Sequence, residues 1–110
     1  MTQVTYWVSP RGRIKGYTAL GHADWAVTGE DIVCAGVSAL TQCTVNALEG
    51  VAKLKPRVLR RPGFLLVQVA ETSGIRWHDA QVILKACANG VASLARQYPD
   101  HVRVLWKIVK

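Results

Sequence analysis

The chain is poor in acids, in proline, in phenylalanine and methionine, and in long apolar runs. Its 110 residues hold 7 Asp and Glu, 4 Pro, one Phe and one Met. No apolar run approaches the roughly 20 residues that a membrane helix needs, so no membrane span is expected. Proline and glycine are too sparse for a collagen-like or low-complexity chain. Three cysteines, Cys34, Cys43 and Cys87, are too few for a disulfide framework, and the number is odd. None forms a C-x-x-C pair. His22, His78 and His101 are scattered, so no metal site and no cofactor are expected. Met1 to Pro10 has neither a basic start nor an apolar stretch of signal-peptide type. The three thiols are therefore expected in a reducing cytoplasm.

What is present points to a folded core. Half of the residues are hydrophobic, which excludes a disordered chain. The length suits one domain over residues 1–110, large enough to be stable without crosslinks. The 14 Lys and Arg give a formal charge of +7, a balance that suggests an acidic partner such as nucleic acid. That charge is concentrated. Lys53, Lys55, Arg57, Arg60 and Arg61 lie within nine residues that contain no acid, and the rest of the chain carries 9 basic against 7 acidic groups.

Alternation predicts a strand over Gln3 to Val8 and another over Arg13 to Leu20, joined by the turn Ser9-Pro10-Arg11-Gly12. A helix is expected from about Glu30 to Leu54, with Val33, Val37, Leu40, Ala47, Leu48 and Val51 as its buried stripe. The basic segment Lys55 to Gly63 holds two prolines and reads as a loop. Phe64 to Ala70 reads as a buried strand. A second helix is expected from Trp77 or His78 to about Tyr98, and a last strand alternates through Val102, Val104, Trp106 and Ile108. The expected fold is α+β in the order β-β-α-β-α-β, a four-stranded mixed sheet with both helices on one face.

The chemistry concentrates between Gly21 and Cys34. A cysteine in the first turns of a helix meets the positive end of the helix dipole, which favours the reactive thiolate. A histidine at the end of the preceding strand, His22, is placed to pair with it and to protonate a leaving amine. Most free cysteines are simply small buried hydrophobes, and Cys43 and Cys87 fit that description. Asp31 precedes Cys34 by three residues; with Thr28 it matches a helix-capping pattern, or caps the helix itself.

Gly21-His22-Ala23, then Gly29, Asp31-Ile32-Val33-Cys34-Ala35 and Val37-Ser38-Ala39-Leu40 resemble the ribosomal-processing cysteine protease family. These are small bacterial enzymes that remove an N-terminal extension from a large-subunit ribosomal protein. The resemblance implies His22 as catalytic histidine and Cys34 as nucleophile. It implies that Asp31 either orients His22 or caps the helix. Ser38, one turn beyond Cys34, either lines the substrate groove or packs. The family's loop between histidine and cysteine corresponds to Ala23 to Gly29, with Gly29 as its hinge and Trp25 either covering the substrate or simply exposed. Backbone N–H groups around Cys34 are the expected oxyanion donors. The resemblance also implies a homodimer and a partly apolar groove. A rival reading is a non-catalytic RNA- or ribosome-binding module that uses Lys53 to Arg61.

Overall fold

The computed structural model describes residues 1–21 and 28–109, and the side chains of 28–31 also lie outside the description. The elements are β1 (Thr2–Val8), β2 (Ile14–Leu20), α1 (Thr28–Gly50), β3 (Arg57–Arg61), β4 (Phe64–Gln68), α2 (Gly74–Gln97) and β5 (Val102–Ile108). They form one mixed five-stranded sheet in the order β3-β4-β2-β1-β5. β1 pairs antiparallel with β2 and parallel with β5, while β4 pairs antiparallel with both β2 and β3.

The α+β class and the two helices agree with expectation, but the strand count does not. The basic segment expected to be a loop contains a fifth strand, so the order is β-β-α-β-β-α-β. β3 sits at the sheet edge, where its backbone pairs on one side and long cationic side chains still reach water. Pro62-Gly63 turns the chain into β4, with Gly63 at φ +70°. The prolines that suggested a loop in fact bracket a strand.

The helix boundaries also shift. α1 starts at Thr28 and ends at Gly50, two residues earlier and four residues shorter than expected at its respective ends. α2 starts at Gly74 rather than near Trp77. Val51 was expected in the α1 stripe but is exposed; Val45 takes its place beside Val33, Val37 and Leu48 in the core. Ile32–Gly50 is in fact long and apolar enough to cross a membrane by length and composition, contrary to the expectation of no such run. In the fold that apolarity is used internally. Val33, Val37, Val45 and Leu48 are each at most 2% exposed, and the opposite side carries Asn46 and Glu49. One face of the helix thus joins the core, with about a third of the stretch buried.

Both helices pack on the same sheet face. Tyr6 and Tyr17 are cross-strand partners and therefore share that face. The Tyr17 hydroxyl donates to the main-chain carbonyl of Thr41 in α1 at 2.7 Å, and the Tyr6 hydroxyl lies 3.2 Å from Cys87 Sγ in α2. The helices meet each other over glycine: Leu40 lies against Gly90 and Leu94 against Gly36. The buried Gln81 amide in α2 bonds both main-chain groups of Ile14, accepting from N–H at 2.7 Å and donating to C=O at 2.9 Å. Among the described residues, no helix covers the opposite sheet face.

Burial pushes the Tyr6 and Tyr17 hydroxyls and the Cys87 thiol upward, so all three stay protonated in the fold. Their ordinary values are 10.0 for tyrosine and 9.0 for the thiol. Each contributes stability that is complete below its unfolded value and is lost as pH rises beyond it. The urea midpoint is therefore expected to hold to about pH 9 and then fall. The slope approaches about 1.4 kcal/mol per pH unit for each group. Tyr6→Phe is expected to remove one group's share of that slope.

Candidate active site

Cys34 lies near the start of α1, where the helix passes over one end of the sheet. The same end is formed by the start of β1, the end of β2 and the β3–β4 turn. Their residues enclose a cleft of about 210 Å³. Thr2, Gly21, Cys34, Ser38, Gln42 and Arg61 supply its polar lining, and Val37, Phe64 and Leu65 its apolar lining.

The local sequence accounts for each placement. Gly21 is pinned at the end of β2: its N–H donates to the Gly63 carbonyl at 2.9 Å. A Cβ on Gly21 would stand 3.3 Å from Thr2 Oγ1, and one on Gly63 would meet the Gly21 carbonyl at 2.6 Å. The β2 end and the β3–β4 turn therefore approach to a distance that requires glycine at 63. Cys34 is half-buried, with its Sγ 3.0 Å from Thr2 Oγ1. Thr2 itself is 4% exposed and is held by its N–H bond to the His101 carbonyl at 2.8 Å. The hydroxyl that meets the thiol is thus anchored in the sheet.

The candidates named from the sequence are distributed as follows. Cys34 and Ser38 line the cleft together, one helical turn apart, and Ser38 is exposed there rather than packed. His22 and Trp25 lie outside the described residues, but Gly21, immediately before His22, lines the same cleft as Cys34. Asp31 is the fourth residue of α1 and therefore does not precede the helix as its cap; its side chain lies outside the description. Gly29 is the second residue of α1, inside its first turn.

The helix boundary bears on the Cys34 amide. Cys34 is the seventh residue of α1. Only the first four N–H groups of a helix are free, so the Cys34 amide is engaged within the helix. The dipole contribution likewise falls off within the first turn. Among the described residues, the Thr2 hydroxyl lies 3.0 Å from the sulfur, and Ser38 lines the cleft one turn beyond.

Sequence reasoning missed Thr2, Arg61 and Phe64. Thr2 is 32 residues from Cys34, and no local pattern links them. Arg61 is the one charged side chain among the described lining residues. Its neighbour Arg60 donates twice to Gln42 Oε1, at 3.2 and 3.1 Å, which ties the basic hairpin to α1. The basic segment is thus part of the cleft wall. The other thiols lie elsewhere: Cys43 is exposed and Cys87 is buried against Tyr6. Among the described residues, no group of three His, Cys, Asp or Glu side chains is arranged to hold a metal.

The model of a protein family described as cysteine protease Prp matches residues 1–103. The ribosomal processing cysteine protease Prp of Staphylococcus aureus is 28% identical over 109 residues, covering 97% of this chain and all of the relative. That of Bacillus subtilis is 27% identical over 121 residues, covering 99% of this chain and all of the relative. The crystal structure of the essential S. aureus enzyme with a substrate peptide superposes with a TM-score of 0.88 at 28% identity, covering 97% and 100% of the two chains. The structure of SMU.848 from Streptococcus mutans does so with a TM-score of 0.86 at 27% identity, covering 99% and 96%.

If the Thr2 hydroxyl donates to the sulfur, Thr2→Val removes a stabiliser of the thiolate. Alkylation of Cys34 by iodoacetamide at pH 7, followed by peptide mass mapping, is expected to slow several-fold, up to about tenfold. Alkylation of Cys43 is expected to be unchanged.

Proposed function

The chain belongs to the Prp family of cysteine proteases, and from that membership we propose that Cys34 and His22 cleave an N-terminal extension from a bacterial large-subunit ribosomal protein. The observation that supports this reading is the cleft itself: Cys34 lines it, and so does Gly21, the residue that precedes His22 in the sequence. Family membership does not favour the rival of a module without catalysis.

In the proposed reaction the Cys34 thiolate attacks the scissile carbonyl carbon. The C=O π electrons move to oxygen, and Thr2 and Ser38 hydroxyls donate to that oxyanion. As the tetrahedral species collapses, the C–N bond breaks and His22 gives its proton to the leaving amine. Water then attacks the thioester with His22 as base, which releases the acid and restores the thiol. Asp31 orients His22 in this scheme. Val37, Phe64 and Leu65 suit an extended substrate with hydrophobic and aromatic side chains, which matches the apolar part of the cleft. Trp25 closes over the bound peptide.

The setting of the reading is a homodimer in the cytoplasm, where free thiols persist. Trp106 and Ile108 on edge strand β5 are 53% and 74% exposed and provide apolar surface for such pairing. Sedimentation velocity at micromolar concentration tests it: a species of twice the chain mass is expected, and Ile108→Glu is expected to shift it to monomer.

Cleavage is tested with a peptide spanning the extension of the ribosomal protein. Cys34→Ala is expected to abolish turnover, His22→Ala to lower it by about 10²–10⁴, and Cys87→Ala to retain it. Full activity of Cys34→Ala would refute the assignment of the nucleophile.

In a separate measurement, limiting iodoacetamide at pH 7 is expected to modify Cys34 before the more exposed Cys43 and to leave Cys87 unmodified. Equal labelling of Cys34 and Cys43 would contradict an activated thiol.

A further inference from the structure

The end of the sheet opposite Cys34 carries a second, larger cavity. Its volume is about 530 Å³, against about 210 Å³ for the cleft at Cys34. Trp7, Lys15, Lys55, Arg57 and Gln68 line it, and no Asp or Glu does. Thr2 and Trp7 are five residues apart along β1, so the two ends are separated by roughly 17 Å.

The register explains the shape of this cavity. Arg57, Gln68, Gly16, Trp7 and Lys107 are successive cross-strand partners, so they form one row across all five strands. The row lies on the uncovered face, because the neighbouring positions Tyr6, Tyr17 and Val67 point into the core. Gly16 leaves the middle of the row flat, and the half-buried Trp7 indole lies across it: a Cβ there would stand 3.1 Å from Trp7 Cε3. The result is an aromatic surface and an amide flanked by cations. Lys15 lies 3.5 Å from Glu71, but both side chains reach solvent, and exposed pairs of this kind yield to a competing anion. The five strands together contain six Lys or Arg and no Asp or Glu, so the polarity of the sheet is uniformly basic.

We propose that this face is a binding surface for single-stranded RNA, with one base stacked on Trp7, its edge on the Gln68 amide, and flanking phosphates on Lys15, Lys55 and Arg57. A basic patch alone would suit any polyanion. The combination of a half-buried indole on a flat sheet, an amide able to donate and accept, and surrounding cations matches the base-plus-phosphate chemistry of an unpaired nucleotide. It gives the basic segment Lys53 to Arg61 two separate uses: Arg60 and Arg61 serve the cleft, while Lys55 and Arg57 serve this surface. Because the surface is at the far end of the sheet, bound RNA leaves the Cys34 cleft open.

The test measures binding of a fluorescein-labelled 12-nucleotide RNA of mixed sequence by anisotropy, with inorganic polyphosphate as competitor. Saturable binding is expected that weakens steeply with salt. Lys55→Glu and Arg57→Glu together are expected to reduce the salt slope of log K by about 1.4, at roughly 0.7 for each phosphate contact on a single strand. Trp7→Leu is expected to weaken RNA about tenfold without changing that slope. Urea midpoints verify that each variant is folded, and peptide cleavage by Lys55→Glu with Arg57→Glu is expected to match the parent. Four outcomes would overturn the proposal: absence of saturable RNA binding; RNA binding unchanged in the folded Lys55→Glu and Arg57→Glu variant; polyphosphate binding as tight as RNA and equally indifferent to Trp7→Leu; or a dimer that Lys55→Glu and Arg57→Glu dissociate, which would make this face a contact between two copies.

Discussion

The height and register of α1 over the sheet depend on the hydrogen bond from the Tyr17 hydroxyl to the Thr41 main-chain carbonyl, at 2.7 Å. A main-chain carbonyl within a helix already serves the helix, and a buried phenol left without a partner would cost roughly 1–3 kcal/mol. The bond satisfies that phenol and fixes one point of α1 to the centre of β2. Thr41 is seven residues, or nearly two turns, beyond Cys34, so fixing one places the other. The same face of the helix, one and two turns earlier, brings Val37 and Val33 into the core. Cys34 is then left at the rim, where it meets Thr2.

From that placement the cleft follows. β1, β2 and the β3–β4 turn all end beneath the first turns of α1, and two glycines let them end close together. Gly63 adopts a positive φ and faces the Gly21 carbonyl at a distance that leaves no room for a side chain. The nucleophile of the proposed reaction is therefore positioned by rigid elements, and the segment that carries His22 departs from one of them. A helix position beyond the first turn has a further consequence: the Cys34 amide is engaged within the helix, while the Thr2 hydroxyl lies 3.0 Å from the sulfur.

Charge is arranged by the sheet rather than by the chain order. In sequence the basic residues Lys53 to Arg61 look like one cluster. As a strand they alternate. Arg60 turns toward α1 and bonds Gln42, while Arg57 and Lys55 line a cavity at the other end of the sheet. One edge strand thus contributes to two surfaces of different character, because side chains separate by face and by position along the strand.

Much of this was readable from the sequence. Alternation located β1, β2 and β5, a short apolar run located β4, helical spacing located both helices, and the Gly21-His22 and Asp31-to-Cys34 segments marked the family. These signals are local, since periodicity and motif spacing act over a few residues. The misreadings were local too. Arg57 to Arg61 reads Arg-Val-Leu-Arg-Arg, without polar–apolar alternation, and is bracketed by Pro56 and Pro62, so only pairing with β4 decides that it is a strand. Val51 and Val45 are equally apolar, and only the direction in which α1 lies decides which is buried. Thr2 beside Cys34, Gly63 beneath Gly21, Arg61 in the cleft wall and Trp7 across Gly16 are contacts between segments far apart in the chain. The sequence determined most of the elements, the family and Cys34 as the candidate nucleophile. The tertiary structure decided what surrounds that thiol and what the positive charge faces, because both depend on strand register and helix placement, which no local pattern encodes.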